Sequence, residues 1–215
     1  MDGNRRWAKK QNLPKLEGHR RGFEKLKEVS GWCKEAGIKY LTVYAFSTEN
    51  WQRSEDEVGY LLELMRRTIE QQTADAVKNG IRLLFPGDLS RFPNDIQETL
   101  RRSEEATRAN DSYTLAIALS YGGRTEIIDA IHRIPKEKLE HISEQEFASL
   151  LWTSSIPDPE MIIRTSGEER LSGFLTWACV YSELFFTPTL WPDFSKEELL
   201  SIIEEYHVRE RRLGR

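Results

Sequence analysis

Apolar residues recur along the chain at two alternating periods, helical and strand-like, and this alternation predicts the elements. Phe23, Leu26, Val29 and Cys33 fall at helical spacing, with Gly37 placed to stop the helix. Tyr40 to Phe46 (YLTVYAF) is β-branched and aromatic, the composition of a buried strand. Ser54 and Glu57 have capping-box spacing, and Val58, Leu61, Leu62, Met65, Ile69 and Val77 then mark one face of a long helix that Gly80 ends. The pattern continues with a strand over 81–85, a helix over 94–109, a strand over 113–120 and a helix over 125–134. Ser143 with Glu146 caps a further helix, and 161–165 and 184–187 read as short strands. Ser195 with Glu198 caps a last helix carrying Leu199, Ile202, Ile203 and Tyr206.

Strand–helix alternation of this kind predicts an α/β fold, a mostly parallel sheet flanked by helices. No repeat, linker or biased segment interrupts it, so residues 1–215 are read as a single domain. In such folds ligands sit beyond the carboxyl ends of the strands, and the polar residues that follow each strand are the candidates. Ser47, Thr48, Glu49, Asn50, Trp51 and Arg53 follow the first strand, and Gly87 and Asp88 the second. Tyr121, Gly122, Gly123 and Arg124 follow the third, and Thr165, Ser166, Gly167, Glu168 and Arg170 the fourth. Gly, Ser and Asn are also what ordinary βα-turns contain. The recurrence of guanidinium, hydroxyl and glycine at successive turns nevertheless suits phosphate oxygens.

The segment DGNRRWA (Asp2 to Ala8) adds a carboxylate beside Gly, Asn and two arginines, with His19 as a further donor. That composition can hold Mg²⁺ and a phosphate chain at one point, because Mg²⁺ commonly takes one or two carboxylates plus substrate phosphates. The usual phosphate loops, GxxxxGK[ST] and GxGxxG, are absent, and so is a DDxxD pair.

Composition narrows the field without naming a function. With 39% hydrophobic and 31% charged residues the chain is too apolar for disorder. A net charge of −4 gives no bulk attraction to nucleic acid. Cys33 and Cys179 are read as reduced thiols. No apolar run approaches the ~20 residues that span a bilayer, and the start carries no signal-peptide core. A cytoplasmic protein is expected, with any membrane dealings peripheral, at the inner face.

DGNRRWAKK, YAFSTENWQR (44–53), SYGGR (120–124), IRTSGEERLSGFLTW (163–177) and YSELFFTPTLWPDF (181–194), in this order, resemble the cis-prenyltransferase family, in particular bacterial undecaprenyl diphosphate synthases. The resemblance runs the whole length of the chain. It implies that an allylic diphosphate primer, such as farnesyl diphosphate, is extended with isopentenyl diphosphate to a polyprenyl diphosphate with cis double bonds.

By the same resemblance Asp2 is the essential Mg²⁺-binding carboxylate. Gly3, Asn4, Arg5 and Arg6 bind the allylic diphosphate, with Trp7, Lys15 and His19 nearby. Ser47, Thr48 and Glu49 match a substrate-binding stretch, and Trp51 and Arg53 the mobile loop after it. Asn50 matches the residue assigned as proton acceptor; an amide is a poor base, so positioning is the better expectation for it. Arg164, Arg170, Leu171 and Ser172 match the isopentenyl diphosphate site, and Glu183 a second Mg²⁺ ligand. Arg212 and Gly214 match a C-terminal motif that completes the neighbour's site in a homodimer formed through the C-terminal half. The product is then released to the membrane surface.

An apolar tunnel is expected for the growing chain, with Ala45, Leu61, Leu64, Met65, Tyr113 and Leu115 as lining candidates and Tyr113 as a limit on product length. Family members also carry an apolar strand just ahead of DGN, so this chain is expected to lack its first strand, upstream of Met1. A non-catalytic partner subunit is the rival within the fold, but Asp2, Arg53, Arg164, Arg170 and Glu183 are all present. An RNA-binding α/β module using the basic stretch from Arg5 to Arg21 is the rival from another class.

Overall fold

A computed structural model describes residues 1–209. Helices α1 (Asn4–Lys10) and α2 (Lys15–Glu35) precede strand β1 (Tyr40–Ser47), followed by α3 (Glu55–Lys78), β2 (Ile81–Leu84), α4 (Asn94–Thr107) and β3 (Tyr113–Tyr121). The second half contains α5 (Gly123–His132), α6 (Glu144–Ala148), β4 (Met161–Arg164), β5 (Glu183–Phe186) and α7 (Lys196–Val208).

All strand pairs are parallel, as the alternating pattern requires. The order β1–β3–β2 makes one sheet, with Tyr40 opposite Thr114 and Ile81 opposite Tyr113. The pair β4–β5 makes a second, with Met161 opposite Glu183. Central β3 is buried at every position but Leu115, which explains its nearly continuous apolar run. On α2, Leu26, Val29 and Cys33 join the main core, as do Leu61, Met65 and Ile69 on α3. Each large apolar side chain so buried contributes about 1.5–3 kcal/mol relative to exposure.

Two capping pairs act as expected. The Glu146 amide donates to Ser143 Oγ (3.2 Å) and the Ser143 amide to Glu146 Oε2 (3.1 Å), while the Glu198 amide donates to Ser195 Oγ (3.1 Å). The third does not. Ser54 precedes α3 but its side chain makes no cap bond. Glu57 instead turns inward, to His19 and Arg53.

Among the described residues the sheet is in two pieces. β1 and β4 are each paired on one side only, and both line a groove of about 780 Å³. Met1 and Asp2 enter this groove where Thr165 follows β4: the Asp2 amide donates to Thr165 Oγ1 (3.0 Å), and the Trp191 amide donates to the Asp2 carbonyl (2.9 Å).

Candidate functional site

Asp2 is fixed from both sides. Its Oδ1 accepts from the Gly3 amide (2.6 Å) and its Oδ2 from Arg164 Nη2 (3.0 Å). Burial works to raise the Asp2 pKa, but the Arg164 bond, with Gly3 and Ser166, outweighs it and holds the carboxyl below its ordinary 3.8. The group is an anion at neutral pH. Gly3 turns the chain here at φ +101°, and a Cβ on it would lie 2.9 Å from Leu190 Cδ2, so both conformation and space favour glycine.

One arginine group surrounds a buried pair at the start of α1 and α3. His19 Nε2 lies 3.2 Å from Glu57 Oε1, the same oxygen that accepts from Arg53 Nη1 (3.0 Å), with Arg5 Nη1 at 3.9 Å. Burial opposes charge on Glu57, but His19, Arg53 and Arg5 prevail and lower its pKa. Burial lowers the pKa of His19, assisted by the Arg53 and Arg5 charges and opposed by Glu57. Asn4 lies against α2, where its buried Oδ1 has no hydrogen-bond partner. A side chain at Gly22 would overlap that oxygen, a Cβ there falling 2.4 Å away. An unpaired buried carbonyl is a place for a donor to complete.

The second arginine group belongs to the loop after β4. Arg164 Nη1 donates to Ser172 Oγ (2.9 Å) and to the Arg170 carbonyl. Arg170 pairs with Glu168, whose other oxygen is 3.5 Å from Arg6. Arg6 also donates to Ser166 Oγ (2.5 Å), so residues 166–168 tie the two groups together, with Asp2 between them. Leu171 and Ser172 line the groove beside this loop.

The remaining candidates are placed less closely. Asn50 Oδ1 accepts from the Ser47 amide (3.1 Å), so its carbonyl is engaged in holding the turn after β1, in keeping with a positioning role. Thr48 and the exposed Glu49 lie on the same turn. Trp51 Nε1 donates to Ser120 Oγ (3.0 Å), and Trp7 Nε1 to Asp193 Oδ1 (2.6 Å). Lys15 opens α2, exposed, one turn before His19.

Glu183 and the tunnel candidates make contacts of their own. Glu183 opposes Met161, at the far end of the β4–β5 pair from Arg164, and is held by Arg209 Nη1 (3.0 Å). Among the described residues no three His, Cys, Asp or Glu side chains gather to hold a metal by themselves. Of the tunnel candidates only Ala45 and Leu61 line the groove. Met65 and Tyr113 are core residues, 3% and 0% exposed, and Ser30 Oγ donates to the Tyr113 hydroxyl (3.3 Å). Arg212 and Gly214 lie outside the described residues.

The sequence reading missed Glu57 as part of the site, and named Ser166 and Glu168 among the residues after the fourth strand without giving them a role. Glu57 was disguised by its capping spacing. Ser166 and Glu168 stood in the loop after the fourth strand, but nothing in their spacing showed which arginines they would meet.

Comparison with known proteins places the chain among enzymes of isoprenoid diphosphates. The family model described as "Putative undecaprenyl diphosphate synthase" matches residues 1–214. An isoprenyl transferase of Fusobacterium nucleatum is 47% identical over 214 residues, covering 100% of this chain and 93% of that protein. The ditrans,polycis-undecaprenyl-diphosphate synthase ((2E,6E)-farnesyl-diphosphate specific) of Micrococcus luteus is 42% identical, covering 100% of this chain and 88% of that protein. Among solved structures, lavandulyl diphosphate synthase from Lavandula x intermedia, in complex with dimethylallyl diphosphate, superposes with a TM-score of 0.93 at 33% identity, covering 100% of this chain and 95% of that one.

Proposed function

The chain belongs to the undecaprenyl diphosphate synthase family of prenyltransferases, and on that premise we propose how its residues carry out cis-prenyl transfer. The observation that carries the reading is the ionised Asp2 carboxylate standing between two arginine groups. Two diphosphates must be held with their hydrocarbon parts meeting, which calls for two cationic subsites. Gly3, Asn4, Arg5, Arg6, His19 and Arg53 form the first, for the allylic primer, with Trp7 and Lys15 at its margin. Arg164, Arg170, Leu171 and Ser172 form the second, for isopentenyl diphosphate. The turn at Ser47, Thr48, Glu49, Asn50 and Trp51 borders the reacting ends. The primer assignment is farnesyl diphosphate, supported by the specificity in the name of the Micrococcus luteus relative.

In the reaction the allylic carbon–oxygen bond breaks and the diphosphate leaves with the electron pair. The isopentenyl double bond attacks the allylic carbon, and loss of a proton leaves a new cis double bond. Arg5, Arg6 and Arg53 stabilise the charge that grows on the leaving diphosphate, the largest single electrostatic contribution such a site can make. Arg164 holds Asp2 at its oxygen while also ordering Ser172, so the two subsites are set relative to each other by one side chain. Asn50 holds the turn, and the departing diphosphate or water takes the proton.

The donor set at Asp2 fits Mg²⁺: a single ionised, partly exposed carboxylate suits a hard cation that draws its other ligands from phosphate and water. When bound, Mg²⁺ supplies further charge neutralisation to the leaving group. Asp2 and Asn4 are the residues here that would hold or border it.

Two features of the assembly complete the proposal. Val180 and Tyr181 are 73% and 70% exposed, and with Leu184 and Phe186 they give the C-terminal half an apolar surface for a homodimer. The groove between β1 and β4 has the form of a slot for one extended strand, which we assign to chain preceding Met1. No described helix is long and apolar enough to cross a membrane. Delivery of the product at a membrane surface is then a peripheral event.

The test is incubation with farnesyl diphosphate, labelled isopentenyl diphosphate and MgCl₂, followed by butanol extraction. Labelled polyprenyl product is expected, and Asp2→Ala should reduce it at least a thousandfold, on the order of the loss of a principal electrostatic group. Product formation by Asp2→Ala at near-normal rate would overturn the mechanism.

A further inference from the structure

Residues 4–21 carry seven Lys and Arg side chains against one acid, Glu17, in a chain whose net charge is −4. Much of that positive charge is engaged. Arg5 and Arg6 reach Glu57 and Glu168 within the site, and Arg20 and Arg21 pair with Glu17, Glu24 and Glu28 along α2. Lys9, Lys10 and Lys15 are not spent in this way. Among the described residues none of their ammonium groups has an ion pair or a hydrogen-bond partner, and all three side chains are exposed.

The turn that carries them is rigidly closed. After α1 ends at Lys10, Asn12 takes the left-handed conformation (φ +56°). The Asn12 amide then donates to the Lys9 carbonyl (3.1 Å) and the Leu13 amide to the Ala8 carbonyl (2.8 Å). This pair of bonds is the Schellman closure of a helix, with asparagine in the place glycine commonly takes. Pro14, at φ −56°, leads directly into α2. Such a closure commonly folds the residue at the Leu13 position back onto the helix, yet Leu13 is 42% exposed, at the apex beside exposed Pro14. Lys9 and Lys10 suit the negative end of the α1 dipole. That accounts for neither the exposed Leu13 nor Lys15, a cation at the positive end of α2. At ~1.5 Å per residue α1 is about 10 Å long, so one short helix joins this tip to Asp2 and Gly3.

We propose that the α1–α2 turn is the face by which the protein docks on an anionic phospholipid bilayer. Lys9, Lys10 and Lys15 meet headgroup phosphates, and Leu13 enters the boundary between headgroups and acyl chains. Single-stranded RNA is the other polyanion such a tip could meet, but RNA is held along a groove with aromatic side chains for its bases to stack on. Here the one nearby aromatic, Trp7, is turned away to Asp193. Each lysine near an anionic surface strengthens binding about fivefold, so three give on the order of a hundredfold, enough for reversible attachment. The proposal deepens the peripheral delivery proposed above by naming the surface that performs it. Its test reads binding rather than turnover, so the two readings can fail separately.

The test is co-sedimentation with vesicles containing about one-third phosphatidylglycerol in phosphatidylcholine, beside vesicles of phosphatidylcholine alone. Excess inorganic pyrophosphate fills the diphosphate subsites, so that capture of headgroups by the site itself is excluded. The unaltered protein should bind the anionic vesicles at least tenfold more strongly, and less so as salt rises from about 0.05 to 0.5 M. Lys9→Gln/Lys10→Gln should weaken that binding about twenty-five-fold, and Leu13→Ala about fivefold, with thermal midpoint and turnover near those of the unaltered protein. Lys78→Gln, which removes an exposed lysine beside the exposed Val77 at the end of α3, should change nothing. Absence of any preference for anionic vesicles, or its loss in pyrophosphate, would overturn the proposal. So would a Lys9→Gln/Lys10→Gln protein that binds them as before and only melts earlier, which would leave the lysines as partners of the helix dipole. Retention of a single-stranded RNA without vesicle binding, lost in the same double variant, would give the tip to RNA instead.

Discussion

His19 sits inside the site with its ring buried, a carboxylate on one nitrogen and two guanidinium groups close by. Burial and the Arg53 and Arg5 charges lower its pKa from the ordinary 6.5, and Glu57 only partly restores it. The folded state therefore takes up a proton less readily than the unfolded chain. The resulting stability is fully present above 6.5 and declines as pH falls through that value toward the lowered one. Asp2 and Glu57, both lowered from their ordinary 3.8 and 4.5, keep their contribution until much more acid conditions. Urea midpoints at about pH 7.5 and pH 5.5 should thus fall for the native protein, and His19→Gln should flatten that slope. An unchanged slope would mean that another group titrates there. At this scale the motif residues were legible, because Asp2, Arg5, Arg6, Arg164 and Arg170 stand in short contiguous segments. Glu57 was not, because its distance from Ser54 mimicked a cap while its partner His19 lies 38 positions away.

Elements with strong periodicity and local stop signals were read closely. α4 was expected over 94–109 and spans Asn94–Thr107; β3 was expected over 113–120 and spans Tyr113–Tyr121. Their shared signal is a hydrophobic face with defined ends, and the physical consequence is testable. Leu100 is 0% exposed on the inner face of α4, in the core shared with α3 and β2. Leu100→Ala should cost about 2–5 kcal/mol by chemical denaturation, through lost burial and the cavity left behind. The variant's kinetics below its unfolding transition should stay near normal, since α4 supplies no residue of the site. α1 escaped the reading, as Asn4–Lys10 contains only Trp7 and Ala8 as apolar residues and has no side-chain cap. It is helical because tertiary contacts make it so. Gly18 lets the Asn4 carbonyl approach α2, where a Cβ would lie 2.1 Å from that oxygen.

At the scale of the molecule, the split sheet is the feature that periodicity alone does not convey. Parallel strands bury both faces and leave their edges as rows of unpaired backbone groups, and two such edges line one groove here. Hydrocarbon in contact with those edges would leave N–H and C=O groups unsatisfied, whereas an extended peptide between them would pair with both. A seven-residue strand, about 23 Å long at ~3.3 Å per residue, matches the eight residues of β1. Fusing seven alternating valine and alanine residues directly ahead of Met1 should therefore join the two sheets. Amide hydrogen exchange at 40–47 and 161–165 should slow by at least tenfold, and the thermal midpoint should rise. The same fusion with proline at every second position keeps the apolar cover but removes donors on one side, so it should leave one of the two strands unprotected. Equal protection by both fusions would show that the groove wants only apolar cover, and the strand assignment would fall.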